Sequence, residues 1–326
     1  MWRAGAWLRW LAMAARVWGG AALPRAWMGA NQMFPWRPGG RMGAASAALD
    51  GRLYMFGGGT ALKAPKNWIK GLDDFFYRVG GDVADTALLG EMMFFDVELV
   101  RWIAVPVVGD EQPEARADHG LASLPSTGKL VLFGGLSRTS VLDDVWTFEP
   151  GFARWRREAS GPVARTLHGF CAGDTAVYLY GGVALYSQSD AYIFQDLWMV
   201  SPDLTWTRLS EGASRDHTPL VNHPGHRLGA GMASEGDRVF IFGGCVSTYL
   251  IDCLVEPDKS FLSDVWAFDL ASAAGAWDSA PGLWAQLSGA WSDSSSSPSP
   301  RSIRVKSFFF HNLATQTTTQ MLFLPV

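Results

Sequence analysis

Two stretches of the sequence gather side chains that could do chemistry. Residues 215–227, RDHTPLVNHPGHR, carry Asp216, His217, His223 and His226, and imidazoles gathered in one loop can hold a transition metal. Residues 245–263 add Cys245, Tyr249 and Cys253, the atom types of a redox or metal centre. Neither spacing matches a standard site, so solvated loop histidines and small buried cysteines are the favoured reading. His217, His223 and His226 stay as weak metal candidates, and no cofactor is expected. The sequence contains no G-x-S-x-G elbow, no P-loop, no G-x-G-x-x-G opening a helix and no HExxH. The expectation is a protein that is not an enzyme.

A third stretch suggests recognition instead. Residues 59–90 carry Lys63, Lys66, Trp68, Lys70, Phe75, Phe76, Tyr77 and Arg78, and aromatic anchors beside cations are what protein-binding surfaces use. With Tyr249 these are the partner-binding candidates. The competing reading is a decoration whose aromatics fold back onto the body of the protein.

The elements that would position these loops come from a repeat. Four apolar, strand-length segments end in a glycine doublet: GRLYMFGG with Gly57 and Gly58, GKLVLFGG with Gly134 and Gly135, TAVYLYGG with Gly181 and Gly182, and DRVFIFGG with Gly243 and Gly244. Arg41, Arg116, Arg165 and Arg227 precede the first glycine by 16, 18, 16 and 16 residues. Downstream, an acidic residue leads an alternating strand in EMMFFD, DVWTFE, DLWMVS and DVWAFD. Asp144, Asp196 and Asp264 stand two residues before Trp146, Trp198 and Trp266, and one face of each strand is expected to be buried, at Met93/Phe95, Trp146/Phe148, Trp198/Val200 and Trp266/Phe268. A last strand follows at Trp102, Trp155, Trp206 and Trp284. Each repeat therefore predicts four strands.

This pattern resembles the kelch repeat, in which an arginine with a nearby histidine, a Gly-Gly doublet and two spaced aromatics mark one blade of a β-propeller. EARADHG and ARTLHG carry the Arg-to-His element, whereas alanine replaces that histidine in GRMGAAS and HRLGAGM. The resemblance implies an all-β, kelch-type propeller with four recognisable four-stranded blades, approximately 37–107, 108–160, 161–211 and 224–291 within a propeller region of 37–291. An incomplete fifth blade is the open alternative, because Pro300 and Arg301 resemble a blade start and SFFFHNL and QMLFLPV read as strands. A truncated or degenerate array competes with it. Residues 292–326 are then a Ser-rich connection with that fifth-blade start, or a tail. The second tryptophan reads as a packing residue, and arginine and aspartate as partners either in turns or between blades. Some proteins of this class are metal-dependent enzymes of the galactose-oxidase type, which is the alternative function. The favoured one is a scaffold that binds a protein or peptide through the loops of one face.

Bulk properties bound the rest. With 326 residues, 48% of them hydrophobic, the chain can bury a large core, and a net charge of −4 gives no overall field to attract nucleic acid. No apolar run reaches membrane-spanning length. Residues 1–36 are basic and Trp-rich, and no Asp or Glu occurs before Asp50. They read as a targeting segment, as disordered, or as a strand that closes the ring. Three cysteines are too few and too odd for a disulfide framework. Cytoplasm is the expected compartment, with organelle import through the basic N-terminus as the alternative.

Overall fold

The computed structural model describes residues 38–61, 86–185, 191–210, 223–246, 262–273 and 284–288, and the backbone of strands 308–312 and 317–321. It contains four four-stranded antiparallel sheets, each a meander in sequence order. Blade one consists of Ala45–Leu49, Arg52–Phe56, Met92–Asp96 and Arg101–Ala104. Blade two consists of Gly120–Leu124, Lys129–Phe133, Val145–Glu149 and Arg154–Arg157. Blade three runs through Gly169–Ala172, Val177–Tyr180, Leu197–Val200 and Trp206–Ser210. Blade four runs through Gly231–Glu235, Arg238–Phe242, Val265–Asp269 and Trp284–Ser288. The first strands of successive blades lie against one another, so they face the propeller axis. The protein is an all-β propeller.

Within each blade the arginine joins two distant parts of its own sheet. In blade two the Arg116 Nη1 donates to the Gly134 carbonyl at 3.0 Å and to Asp144 Oδ1 at 2.5 Å, while Nη2 donates to Asp144 Oδ2 at 2.8 Å. The indole of Trp146 donates to the same Asp144 Oδ2 at 2.6 Å. Arg165, Asp196 and Trp198 repeat this in blade three, with Nη1 on the Gly181 carbonyl at 3.1 Å and the indole on Asp196 at 2.7 Å. Arg227, Asp264 and Trp266 repeat it in blade four. The aspartate two residues before a tryptophan is thus the shared acceptor of a guanidinium and an indole. Burial pushes the Asp144 carboxyl up, but the hydrogen bonds and charge of Arg116 outweigh it and hold the group below the usual carboxylate range.

Blade one departs from this plan. Its acid is Glu91, half-exposed at 49%, which meets Arg41 through one oxygen at 2.7 Å, and Met93 stands where the others place a tryptophan.

The backbone of the same arginines joins blade to blade. The second glycine of the first three doublets donates to the carbonyl of the next blade's arginine: Gly58 to Arg116 at 2.8 Å, Gly135 to Arg165 at 2.9 Å and Gly182 to Arg227 at 3.0 Å. A side chain on Gly57, Gly134 or Gly181 would come within 2.5, 2.7 or 2.5 Å of that carbonyl, and all three have positive φ. The doublet is therefore glycine for two reasons, a left-handed backbone and the neighbouring blade's close approach.

The core lies in the seams. Ala47, Tyr54, Phe56 and Met92 of blade one pack on Leu121, Leu132, Trp146 and Phe148 of blade two. The opposite face of blade two, with Val131, Phe133 and Val145, packs on Val177, Leu179 and Val200 of blade three. Tyr178, Tyr180 and Leu197 then meet Ile241, Trp266 and Phe268 of blade four. Both faces of a central blade are buried, so the expected single buried face is only half of the pattern: Val145 and Thr147 are as buried as Phe148, at 0%, 1% and 0% exposure. The last-strand tryptophans wedge into these seams. Trp155 meets Phe56 at 5.2 Å between ring centres, Trp206 meets Phe133 at 5.0 Å and Trp284 meets Tyr180 at 5.6 Å, each reaching the glycine-doublet strand of the blade before its own.

His119 and His168 fill the same seams. The His119 ring lies edge-on to Phe56 at 5.5 Å and the His168 ring lies 5.3 Å from Phe133. Neither ring has a hydrogen bond at either nitrogen among the described residues. Burial and then the nearby Arg116 charge push His119 down to about 3, and burial followed by Arg165 pushes His168 well below the ordinary value. One cysteine differs from expectation: Cys171 is free and buried, whereas Cys245, although buried, is disulfide-bonded.

Two outcomes are expected. Breaking the buried pair with Asp144→Asn or Arg116→Leu should cost about 3–5 kcal/mol in chemical denaturation, and Glu91→Gln at the half-exposed pair about 0–1 kcal/mol; equal costs would remove the distinction. In acid, the unfolded chain takes up protons near pH 6.5 while folded His119 does so only near 3. Stability should therefore be complete above about pH 6.5 and fall toward pH 3 by up to about 1.4 kcal/mol per pH unit for each imidazole. Melting curves of His119→Phe should show a shallower decline over that window than the parent chain.

Candidate functional site

The inner strand of each blade begins, and its second strand ends, at one end of the sheet, so the loops after the doublets and before the inner strands share one face. Each doublet is followed by a residue bridged to the one after the arginine: Gly59 with Met42, Leu136 with Ala117, Val183 with Thr166 and Cys245 with Leu228. From these bridges rise short two-stranded stems. Gly59–Ala61 pairs with Thr86–Leu88, and Val183–Leu185 pairs with Ala191–Ile193. The first stem brackets the long insertion of blade one.

Lys63, Lys66, Trp68, Lys70, Phe75, Phe76, Tyr77 and Arg78 belong to that insertion and lie outside the described residues, as do Tyr249 and His217. His223 sits in the seam between blades three and four. Its Nε2 is 3.2 Å from Ser210 Oγ, its Nδ1 accepts from the Gly225 N–H at 3.0 Å, and its ring lies 5.4 Å from Trp284. Burial, followed by the Arg227 charge, pushes it down to about 4. His226 is buried with Nδ1 2.5 Å from the Ile193 carbonyl, which ties it to the stem of blade three. Both described histidines are thus committed to local contacts, and no group of three His, Cys, Asp or Glu gathers among the described residues.

The mouth of the axis on this face is ringed by backbone. The residue two beyond each arginine has positive φ: Gly43 at 66°, Asp118 at 54°, Leu167 at 54° and Gly229 at 64°. These residues bond in series, Asp118 N–H to the Gly43 carbonyl at 2.8 Å, Leu167 N–H to the Asp118 carbonyl at 3.1 Å and Gly229 N–H to the Leu167 carbonyl at 2.7 Å. Asp118 is the one charged member. Its carboxylate leans over Gly43, where an added Cβ would come within 2.5 Å of Oδ1. No ion pair or side-chain hydrogen bond meets this carboxylate among the described residues, and burial pushes it up to about 6.

Sequence reasoning passed over Asp118. The available signal was positional, since the same place holds glycine in two blades and leucine in a third, and aspartate tolerates the left-handed backbone that the ring demands. A half-buried carboxylate can receive a cation carried on an apolar stem.

Among proteins of known description, the chain is 28% identical over 134 residues to the N-(sulfonatooxy)prop-2-enimidothioate sulfolyase of Thlaspi arvense, covering 39% of this chain and 38% of that one. It is 30% identical over 173 residues to Adagio-like protein 1 of Oryza sativa subsp. japonica, covering 51% of this chain and 24% of that one. It is 25% identical over 174 residues to Acyl-CoA-binding domain-containing protein 4 of Arabidopsis thaliana, covering 52% and 25%. The chain thus matches about a quarter to two-fifths of the length of these relatives. The domain described as KLHDC2/KLHL20/DRC7 Kelch-repeats matches residues 67–273, which take in most of the clamps, doublets and seam tryptophans described above. With more than half of its length in that match and the blade geometry to go with it, this chain belongs to the kelch-repeat family.

Proposed function

We propose that this protein is a kelch-repeat scaffold that binds a protein or peptide partner on the loop face, around the axial mouth. The observation that carries this reading is Asp118: a half-buried carboxylate with no cationic neighbour among the described residues, on a ring fixed by three inter-blade hydrogen bonds. Holding a charge there works against stability at neutral pH, because burial favours the protonated form. An arriving Lys or Arg of a partner would offset the cost. The insertion bracketed by the Gly59–Ala61 and Thr86–Leu88 stem adds its aromatic and basic residues to the candidate contacts. The blades supply the scaffold, and the loops set the choice of partner.

A second reading, catalysis, draws on the sulfolyase among the relatives. Turnover of an N-(sulfonatooxy)imidothioate by the purified protein would favour it.

The test is affinity capture with the whole chain, with residues 62–85 replaced by a short Gly-Ser linker, and with Asp118→Asn. Partners should be held by the whole chain, weakened tenfold or more by either change, and recovered with Asp118→Glu. Asp118→Asn should at the same time raise the melting temperature at pH 7, since it removes a carboxyl that titrates near 6 when folded and near 3.8 when unfolded. A variant that loses stability and keeps its partners would sink the reading.

A further inference from the structure

The turn that leads into blade four is closed by an imidazole. His223 Nδ1 accepts the Gly225 N–H at 3.0 Å across Pro224, the bond that an aspartate or asparagine side chain makes in an Asx-turn. A neutral imidazole has one donor and one acceptor. Nε2 therefore carries the hydrogen and donates to Ser210 Oγ, 3.2 Å away on the outer strand of blade three. The Trp284 indole of blade four donates to the same oxygen at 3.1 Å. Both ring nitrogens are in use, and the backbone fixes the tautomer.

This turn changes how the clamp of blade four is held. In blades two and three the carbonyl two residues before the arginine takes its Nε, Glu114 from Arg116 and Val163 from Arg165, each at 3.1 Å. In blade four that carbonyl belongs to Gly225 and takes the Tyr180 hydroxyl at 2.8 Å, while Arg227 turns its Nη2 to the Pro224 carbonyl. With φ at 80° on Gly225, two consecutive carbonyls are aimed at two partners, one in the second strand of blade three and one in the clamp of blade four. The His223 bond closes the turn that aims them.

Protonation cannot leave this arrangement intact. A proton on Nδ1 sets one N–H against another, so the bond to Gly225 is lost outright. The groups around the half-buried ring are Tyr180 and Ser210 of blade three, Trp284 of blade four, and His226 and Arg227 of its own segment. Burial keeps the Tyr180 hydroxyl protonated, and the two carboxylates that act on it, Asp196 and Asp264, are held by Arg165 and Arg227. The Arg227 and His226 charges both oppose a positive ring in the closed turn.

We propose that the His223 turn is a proton-operated latch on the seam between blades three and four: a proton taken from solvent at Nδ1 frees the Gly225 N–H and withdraws the Pro224 and Gly225 carbonyls from Arg227 and Tyr180. The closed turn binds that proton only near pH 4, because of burial and then the Arg227 charge, whereas an open turn binds it near 6.5. The latch is therefore fully held above about pH 6.5 and weakens as pH falls toward 4. Between pH 8 and pH 5 the open population should rise on the order of thirtyfold.

Nitrogen NMR of the imidazoles and amide exchange of the full chain test this, with exchange corrected for its intrinsic pH dependence and the Gly135 amide reporting global opening. At pH 8 His223 should show the Nε2–H tautomer and Gly225 should be protected. At pH 5 Gly225 should lose on the order of thirtyfold of its protection while Gly135 keeps its own. His223→Asn, which offers Gly225 an acceptor that does not titrate, should keep Gly225 protected at both pH values, and His223→Ala should lose that protection at pH 8. An Nδ1–H tautomer would overturn the proposal, as would Gly225 and Gly135 losing protection together. A pH dependence that survives His223→Asn would assign the response to another group and overturn it too. Should the asparagine variant not fold, the tautomer and the comparison of Gly225 with Gly135 in the parent chain decide.

Discussion

The double use of one arginine in each of blades two to four governs this structure. Its guanidinium is fully buried there, and it spans the blade from the glycine doublet to the aspartate that also receives an indole. Its peptide group meanwhile bonds to the doublet of the preceding blade. A buried charge of this kind is costly unless every donor is met, and here carboxylate, doublet carbonyl and upstream carbonyl meet Arg116 together. The interaction that folds a blade is therefore the one that sets its neighbour, and curvature follows from repeating it.

Much of this was legible in the sequence because it is carried by marks at fixed spacing. The glycine doublets, the arginines 16 to 18 residues upstream, and the paired tryptophans identified four blades and their strands. Spacing could not say whether Arg116 served its own blade or the next, since both partners are distant in sequence; the answer is both, through different atoms. The tryptophans read as packing residues, but that they reach backward to Phe56, Phe133 and Tyr180 depends on the twist of adjacent sheets, which no linear pattern encodes.

The site was less legible than the fold. The aromatic and basic residues singled out in the insertion announced themselves by composition, and their stem is what the structure adds. Asp118 was missed because its importance comes from a backbone angle and from the absence of a described neighbour, neither of which a residue type declares. The histidines suffered the opposite fate. Gathered in sequence, His223 and His226 look like metal chemistry, yet one is held between Ser210 and Trp284 and the other beneath the stem of blade three.

The glycine-to-arginine bond also has a bearing on synthesis. A blade emerging from the ribosome can form its sheet and its internal clamp, but its doublet stays unsealed until the following arginine has been made, which lies 58 residues beyond Gly58 and 30 beyond Gly135. Assembly therefore runs in one direction, each blade held provisionally until the next begins, and a ribosome that stalls inside a blade leaves the previous doublet as the exposed end of the nascent chain's folded part.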